Sequence, residues 1–236
     1  ELMAIDYSAE SGLTLGAGVP CYQVYENQEI SAAYPALADS TRIIGGWQIQ
    51  SRASVGGNLC NSSPAADTIP ALISLAASCR IAGPNGEREV AAADFCTGPG
   101  HNVLQPGELL VSIQFPPPTA QSSSAYERFI PRNEMDIAVA GAGSWVQLDE
   151  SGGTIEQARI TLAAVGPIPL VAQQAADSLA GQEASEENLA AAGKLAREVA
   201  SPIDDMRGTT EYRVHLVGVL VKRTLARAVA RARGES

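Results

Sequence analysis

Residues 54–67 read SVGGNLCNSSPAAD: two adjacent glycines, an Asn, a Cys, a second Asn, two serines, a Pro and an Asp among small apolar residues. Little here can pack a core. Yet the stretch lies between two apolar helical patterns, ISAAYPALADSTRIIG (residues 30–45) and TIPALISLAA (residues 68–77). Paired glycines let backbone N–H groups approach a ligand with no Cβ in the way. Successive N–H groups in such a turn form an anion-binding nest. Ser54, Asn58, Asn61, Ser62 and Ser63 add neutral donors, and Asp67 adds one acceptor. That set suits a phosphate ester or the polar chain of a cofactor. It does not suit acid–base catalysis, which needs a poised His or a carboxylate pair. The same residues also read as an Asx-rich turn with Asp67 as N-cap of the following helix, and the pattern alone leaves both readings open.

Upstream of that stretch, GLTLGAGV (residues 12–19) alternates small and apolar residues and predicts a strand. Pro35 interrupts the helical period that follows. Downstream, a helix is expected over about 68–77, and CRIAG, PNGE and REVAA predict a hairpin with Asn85-Gly86 as its turn signal. ELLVSIQF (residues 108–115) predicts a strong strand that stops at Pro116. PPPTAQSSSA (residues 116–125) has the composition of a linker, which divides the chain into domains 1–118 and 119–236.

The second half predicts three strands, AYERFIPR, DIAVAGAGSWVQLD and TIEQARITLAAVG, with Ser151-Gly152-Gly153 as a turn. Consecutive strands on short turns pair antiparallel. Three helices should follow: one over about 170–179, one capped by Ser185 with acidic residues in its first turn, and one over about 211–232 with basic residues at its end. Strands and helices segregated along the chain define an α+β class.

The 236 residues suffice for a substantial core, which should be aliphatic because aromatics are only 5%. A net charge of −10 leaves no basic face for nucleic acid. No run approaches the ~18 apolar residues of a membrane span. Cys21, Cys60, Cys79 and Cys96 form no CxxC pair, and His101 and His215 complete no zinc spacing. Scattered single cysteines of this kind predict reduced thiols and a cytoplasmic protein. No nucleophile triad, metal cluster or catalytic carboxylate pair is evident, so no catalytic residue is assigned.

SVGGNLCNSSPAAD closely resembles the second flavin-binding segment of the FAD subunit of molybdenum hydroxylases, the family of xanthine dehydrogenase and carbon monoxide dehydrogenase. The resemblance continues in one order through YPALADSTRIIGGWQIQSRASVGGN, GPNGEREVAAADFCTGPGHNVLQPGELLVSIQFP, YERFIPRNEMDIAVAGAG and EYRVHLVGVLVKRTLARA, and so spans essentially the whole chain. It implies the second subdomain of a vanillyl-alcohol-oxidase-type FAD domain, followed by the family's C-terminal domain of three antiparallel strands and three helices. By resemblance, Ser54, Val55, Gly56, Gly57 and Asn58 contact FAD through backbone amides and small side chains, with Asn61 alongside, and Asp67 also touches the cofactor. Ile44 matches a position beside the isoalloxazine that is aromatic in some relatives, Leu110 an apolar flavin contact, and Arg128 a position often held by Lys. A planar guanidinium there offers a geometry that an ammonium lacks.

The resemblance further implies electron relay. A molybdopterin subunit would oxidise the substrate, iron–sulfur clusters on another subunit would carry the electrons to FAD, and the complex would be a dimer of heterotrimers. The family's first FAD subdomain, with its glycine-rich pyrophosphate loop, has no counterpart among these residues, so the chain is expected to supply one half of the cleft. Plainer readings stand beside these: Leu110 and Ile44 as core, Arg128 as a solvated charge, RNEMD as a loop salt bridge, Trp47 and Trp145 as packing residues, Cys60 as a small buried side chain. Two alternatives differ in kind. One is another flavin oxidoreductase of the vanillyl-alcohol oxidase type, and the other is a flavin-free assembly subunit of the same complex.

Overall fold

In the computed structural model, which describes residues 1–132 and 134–235, the alternating segments become strands as expected, and a further one precedes them. Strand β1 (Ile5–Ser8) pairs antiparallel with β2 (Gly12–Gly16). Six short helices follow: α1 (Cys21–Glu26), α2 (Gln28–Ala33), α3 (Pro35–Thr41), α4 (Trp47–Gln50), α5 (Val55–Asn61) and α6 (Thr68–Ser74). Pro35 sits at the start of α3, where its missing N–H costs nothing. The chain then returns to the sheet through β3 (Ser78–Gly83) and β4 (Gly86–Ala91). After a small ribbon of β5 (Cys96–Gly98) and β6 (His101–Asn102), β7 (Leu109–Phe115) enters between β2 and β3. The resulting order is β1-β2-β7-β3-β4, and every adjacent pair is antiparallel. Leu15, Ile81, Leu110 and Ile113 from this sheet pack with Leu37, Leu59, Ile69 and Leu72 from the helices into one core.

The serine run is not a linker. Strand β8 (Ser122–Phe129) already contains its serines, and Ser124 Oγ accepts the buried amide of Ala36. Strands β9 (Ala140–Leu148) and β10 (Thr154–Ala163) complete the expected meander, with Asp149 accepting the amides of Gly153 and Thr154 at its turn. The helix expected over 170–179 is shorter. Leu170–Val171 is instead an edge strand, β11, and α7 covers only Gln173–Asp177. After the two-residue strand β12 (Gln182–Glu183), α8 (Glu186–Leu195) begins with Ser185 accepting from Asn188 N, as its sequence predicts. Helix α9 (Thr210–Ala232) is capped by Thr209.

The β8–β10 sheet is buried on both faces, and period-two alternation separates them. Ala140, Ala142, Val146, Ile160 and Leu162 face α8 and α9 in a second aliphatic core. The alternate residues face α3 and α6 of the first half. There a Cβ on Gly143 would stand 2.8 Å from the carbonyl oxygen of Pro70, so only glycine lets α6 lie this close. Gly143 is therefore the point on β9 against which α6 rests. Among the described residues no helix is long and apolar enough to cross a membrane, and no cluster of metal-ligating side chains occurs.

Candidate functional site

The glycine-rich stretch folds differently from the loop its composition suggests. Val55–Asn61 is a helical turn, with Ser54 Oγ accepting the amide of Gly57 at 3.0 Å and Ser62 ending it in the left-handed conformation at φ 48°. The glycines are used for opposite purposes. A Cβ at Gly56 would lie 2.5 Å from Ala17 O, so Gly56 seats the turn on the end of β2. A Cβ at Gly57 would meet nothing within 4 Å except Ser54 Oγ, so Gly57 presents bare backbone outward. In the first turn the amides of Val55 and Gly56 have no intrahelical acceptor. Ala17 N donates to Val111 O, which ties this platform to β7.

Asp67 stands at the N-cap position of α6, but its side chain does not cap the helix. Its carboxylate leaves α6 uncapped, and Asn58 does that work instead, with Oδ1 accepting Thr68 N at 3.2 Å and Thr68 Oγ1 at 2.6 Å. Asp67 instead accepts from Arg128 Nη1 at 2.5 Å and from the buried Tyr126 hydroxyl at 2.9 Å. Arg128 Nη2 donates to Ile43 O at 2.8 Å. The Arg128 side chain is only 7% exposed, so the solvated-charge reading of it is overturned. Burial pushes the Asp67 carboxyl up to about 6, while Arg128 and the Tyr126 hydroxyl pull it down. Burial also holds the Tyr126 hydroxyl protonated far above its ordinary range. This trio binds β8 to the end of α3 and the start of α6, across the seam between the two halves.

The other predicted residues fall around these two groups. Ile44 is half-buried in the bend after α3, next to the carbonyl that Arg128 holds. Leu110 is 2% exposed inside the first core, and its neighbour Leu109 is the exposed one. Its position supports the core reading and puts its side chain beneath the surface rather than on it. Asn61 is exposed at the end of α5. Arg132 pairs with Asp136 at 3.2 Å as the loop salt bridge expects, while Asn133 of the same run lies outside the described residues. Trp145 packs in the first core with the Arg159 guanidinium 3.8 Å over its ring, but Trp47 is 84% exposed and packs no core. Cys60 is half-buried, and burial raises its thiol as it does those of Cys21, Cys79 and Cys96.

Beside Arg128 a cleft of about 420 Å³ opens along the seam, lined by Ile43, Gly46, Trp47, Tyr126 and Arg227 among others. Sequence reading passed over Tyr126 and Asp39. The first was within reach: it stands two residues before Arg128 on a strand, so both side chains must share a face. Asp39, which receives a bidentate Arg231 from α9 at 2.7 and 3.0 Å, carried no local signal.

The arrangement offers neutral polar side chains, the exposed backbone of Gly57 and a buried ion pair. Comparison with known proteins places the whole chain. A family profile described as the FAD binding domain in molybdopterin dehydrogenase matches residues 1–118. A second, the CO dehydrogenase flavoprotein C-terminal domain, matches residues 124–228. The chain is 30% identical to the xanthine dehydrogenase FAD-binding subunit of Escherichia coli over all of its own length and 80% of that relative. It is 35% identical to the carbon monoxide dehydrogenase medium chain of Afipia carboxidovorans over 94% of its own length and 76% of that relative. Among solved structures, a chain of the carbon monoxide dehydrogenase of Hydrogenophaga pseudoflava superposes with a TM-score of 0.91 at 31% identity, covering 98% of this chain and 79% of that one.

Proposed function

The chain belongs to the family of FAD-binding medium subunits of the xanthine and carbon monoxide dehydrogenases, and from that premise we propose that the α5 platform and the Asp67–Arg128 pair are this chain's share of the flavin site. The observation that carries the reading is the bare outward backbone at Gly57, near the exposed start of α5. That surface fits the polar, phosphate-bearing chain of FAD: it is neutral, donor-rich and free of side chains that would block approach. Asn58 holds the platform in register with Asp67 through Thr68. Arg128 is fixed by two acceptors, so its charge is pre-organised rather than recruited on binding.

Bound FAD supplies the redox chemistry, taking electrons from an iron–sulfur centre and passing them to an outside acceptor. This chain positions the cofactor, sets the charge around it and excludes water from one side. The electrons would come through an iron–sulfur subunit from a molybdopterin subunit, in a cytoplasmic dimer of heterotrimers. The cofactor-binding domain would end near Pro118, the last residue before the chain crosses to β8.

The absorption spectrum of the purified native complex, followed by release and quantification of the pigment, tests the reading. FAD at one per chain, lost on replacing Gly57 by Phe or Asn58 by Leu while the complex still assembles, is the expected result. A complex that assembles with its molybdenum and iron–sulfur partners but carries no flavin would make this chain an assembly subunit.

A further inference from the structure

On the outer side of the second half, α8 and α9 cross with Gly193 against Gly218, where a Cβ on Gly193 would stand 2.6 Å from Gly218 O. Beside the crossing lies a groove of about 410 Å³ that collects Lys194, Arg197, Lys222 and Arg223. Four cations in one groove are unexpected on a chain of net charge −10. Two are answered by carboxylates: Lys222 by Glu186 at 2.5 Å and Arg223 by Glu127 at 3.0 Å. Lys194 and Arg197 enter no ion pair among the described residues. Arg197 Nε is, among those residues, the one buried side-chain nitrogen or oxygen without a hydrogen-bond partner.

The seating of Arg197 is specific. Its guanidinium packs its Nε and Nη2 edge against α9 at Gly218, where a Cβ would come within 2.3 Å of Nε and 2.6 Å of Nη2. Glycine inside a helix is less stable there than alanine. Here helix stability is given up to hold an arginine that neutralises nothing. Ala190, Val219 and Ala226 form a small apolar floor beside it.

We propose that this groove binds a phosphate dianion, as a small phosphate monoester or as free phosphate. Two unanswered cations match the charge of such a dianion at neutral pH. A planar guanidinium is the side chain best shaped to take two of its oxygens. The groove has the size of a small-molecule site, and its apolar floor would lie under the ester's organic part.

Titration of the intact complex with glycerol 2-phosphate and with inorganic phosphate, followed by calorimetry and by phosphorus resonance broadening, tests this. Saturable binding at one site per chain is expected, weakened about tenfold by Lys194→Gln and at least as much by Arg197→Ala, with flavin absorbance unchanged. Gly218→Ala is the sharper variant. Alanine favours the helix and pushes the guanidinium off its seat, so binding should be lost from a protein that melts no earlier than the parent. Tighter binding of the monoester would assign an organic phosphate, and equal binding would assign free phosphate. No saturable binding of either, or binding that Arg197→Ala and Gly218→Ala leave intact, would overturn the proposal.

Discussion

The two faces of the β8–β10 sheet are built from alternate residues of the same strands, yet they do different work. The face toward α9 is mostly aliphatic, with buried polar contacts where Ser144 Oγ meets Thr224 Oγ1 at 2.7 Å and Arg213 Nη1 donates to Val139 O at 2.7 Å. The face toward α3 and α6 carries glycines, Trp145, Tyr126 and the arginines 128 and 159. Arg128 and Arg159 both end on carbonyls at helix C-termini, Ile43 O after α3 and Ser74 O in α6, where the helix dipole favours a cation. Apolar area secures the outer face, because burial there needs no direction. The inner face is joined by directed hydrogen bonds, so it fixes the relative position of the two halves and of the residues proposed to meet the flavin.

Substitutions on the two faces sharpen that contrast. The largest effect is expected at the inner ion pair. Arg128→Ala leaves the Asp67 carboxylate buried and unanswered, a loss of about 3–5 kcal/mol. Denaturant melts should show this loss together with loss of FAD, whereas Arg128→Lys should retain part of both. On the outer face, Leu162→Ala should cost about 2–5 kcal/mol through the cavity it leaves, but the folded fraction should keep its full flavin content. Equal flavin loss from both variants at matched stability would erase the distinction. Gly143→Ala forces a Cβ against Pro70 O and should cost about 1–3 kcal/mol, read as a lower melting temperature, by prying α6 from the sheet.

Smaller effects come from titration. Asp67 has its folded value raised from 3.8 to about 6, so its contribution is complete below 3.8 and is lost as pH rises through about 6. Glu108, held down to about 2 by Arg88 and the Gln105 amide, has the opposite sign: its contribution is present above 4.5 and is lost as pH falls through about 2. Melting temperature against pH should lose the first slope in Asp67→Asn and the second in Glu108→Gln. The smallest effect concerns the thiols. Burial pushes Cys21 and Cys79 up to about 12, so alkylation near neutral pH should leave both unmodified until the protein unfolds.

Legibility differed between the halves for a physical reason. In the second half consecutive strands pair with their neighbours, so the meander, its turn and the cap at Ser185 follow from local pattern. Leu170–Val171 departed from the expected helix because its pairing with Thr161 and Leu162 is tertiary. In the first half β7 enters between β2 and β3, partners far away in sequence, and no periodicity announces that order. At the site, the bare backbone of Gly57 was readable from its residue type, but the cap that Asn58 gives Thr68 and the helical turn itself were not, since two glycines argue against a helix until Ala17 packs on one of them.

By itself, the sequence determined the alternation of apolar and polar positions, the Ser185 cap, the hairpin turns, and family membership through motifs kept in one order along the chain. These are local properties, written in residue type and spacing. The tertiary structure alone decided that Asp67 answers Arg128 instead of capping α6, that Leu110 is core, that Gly143 seats α6, and that Arg197 Nε rests on Gly218 without a partner. Each depends on which distant residue arrives opposite. In a buried seam the cost of leaving a charge or a carbonyl unanswered selects that neighbour, and no local pattern encodes it.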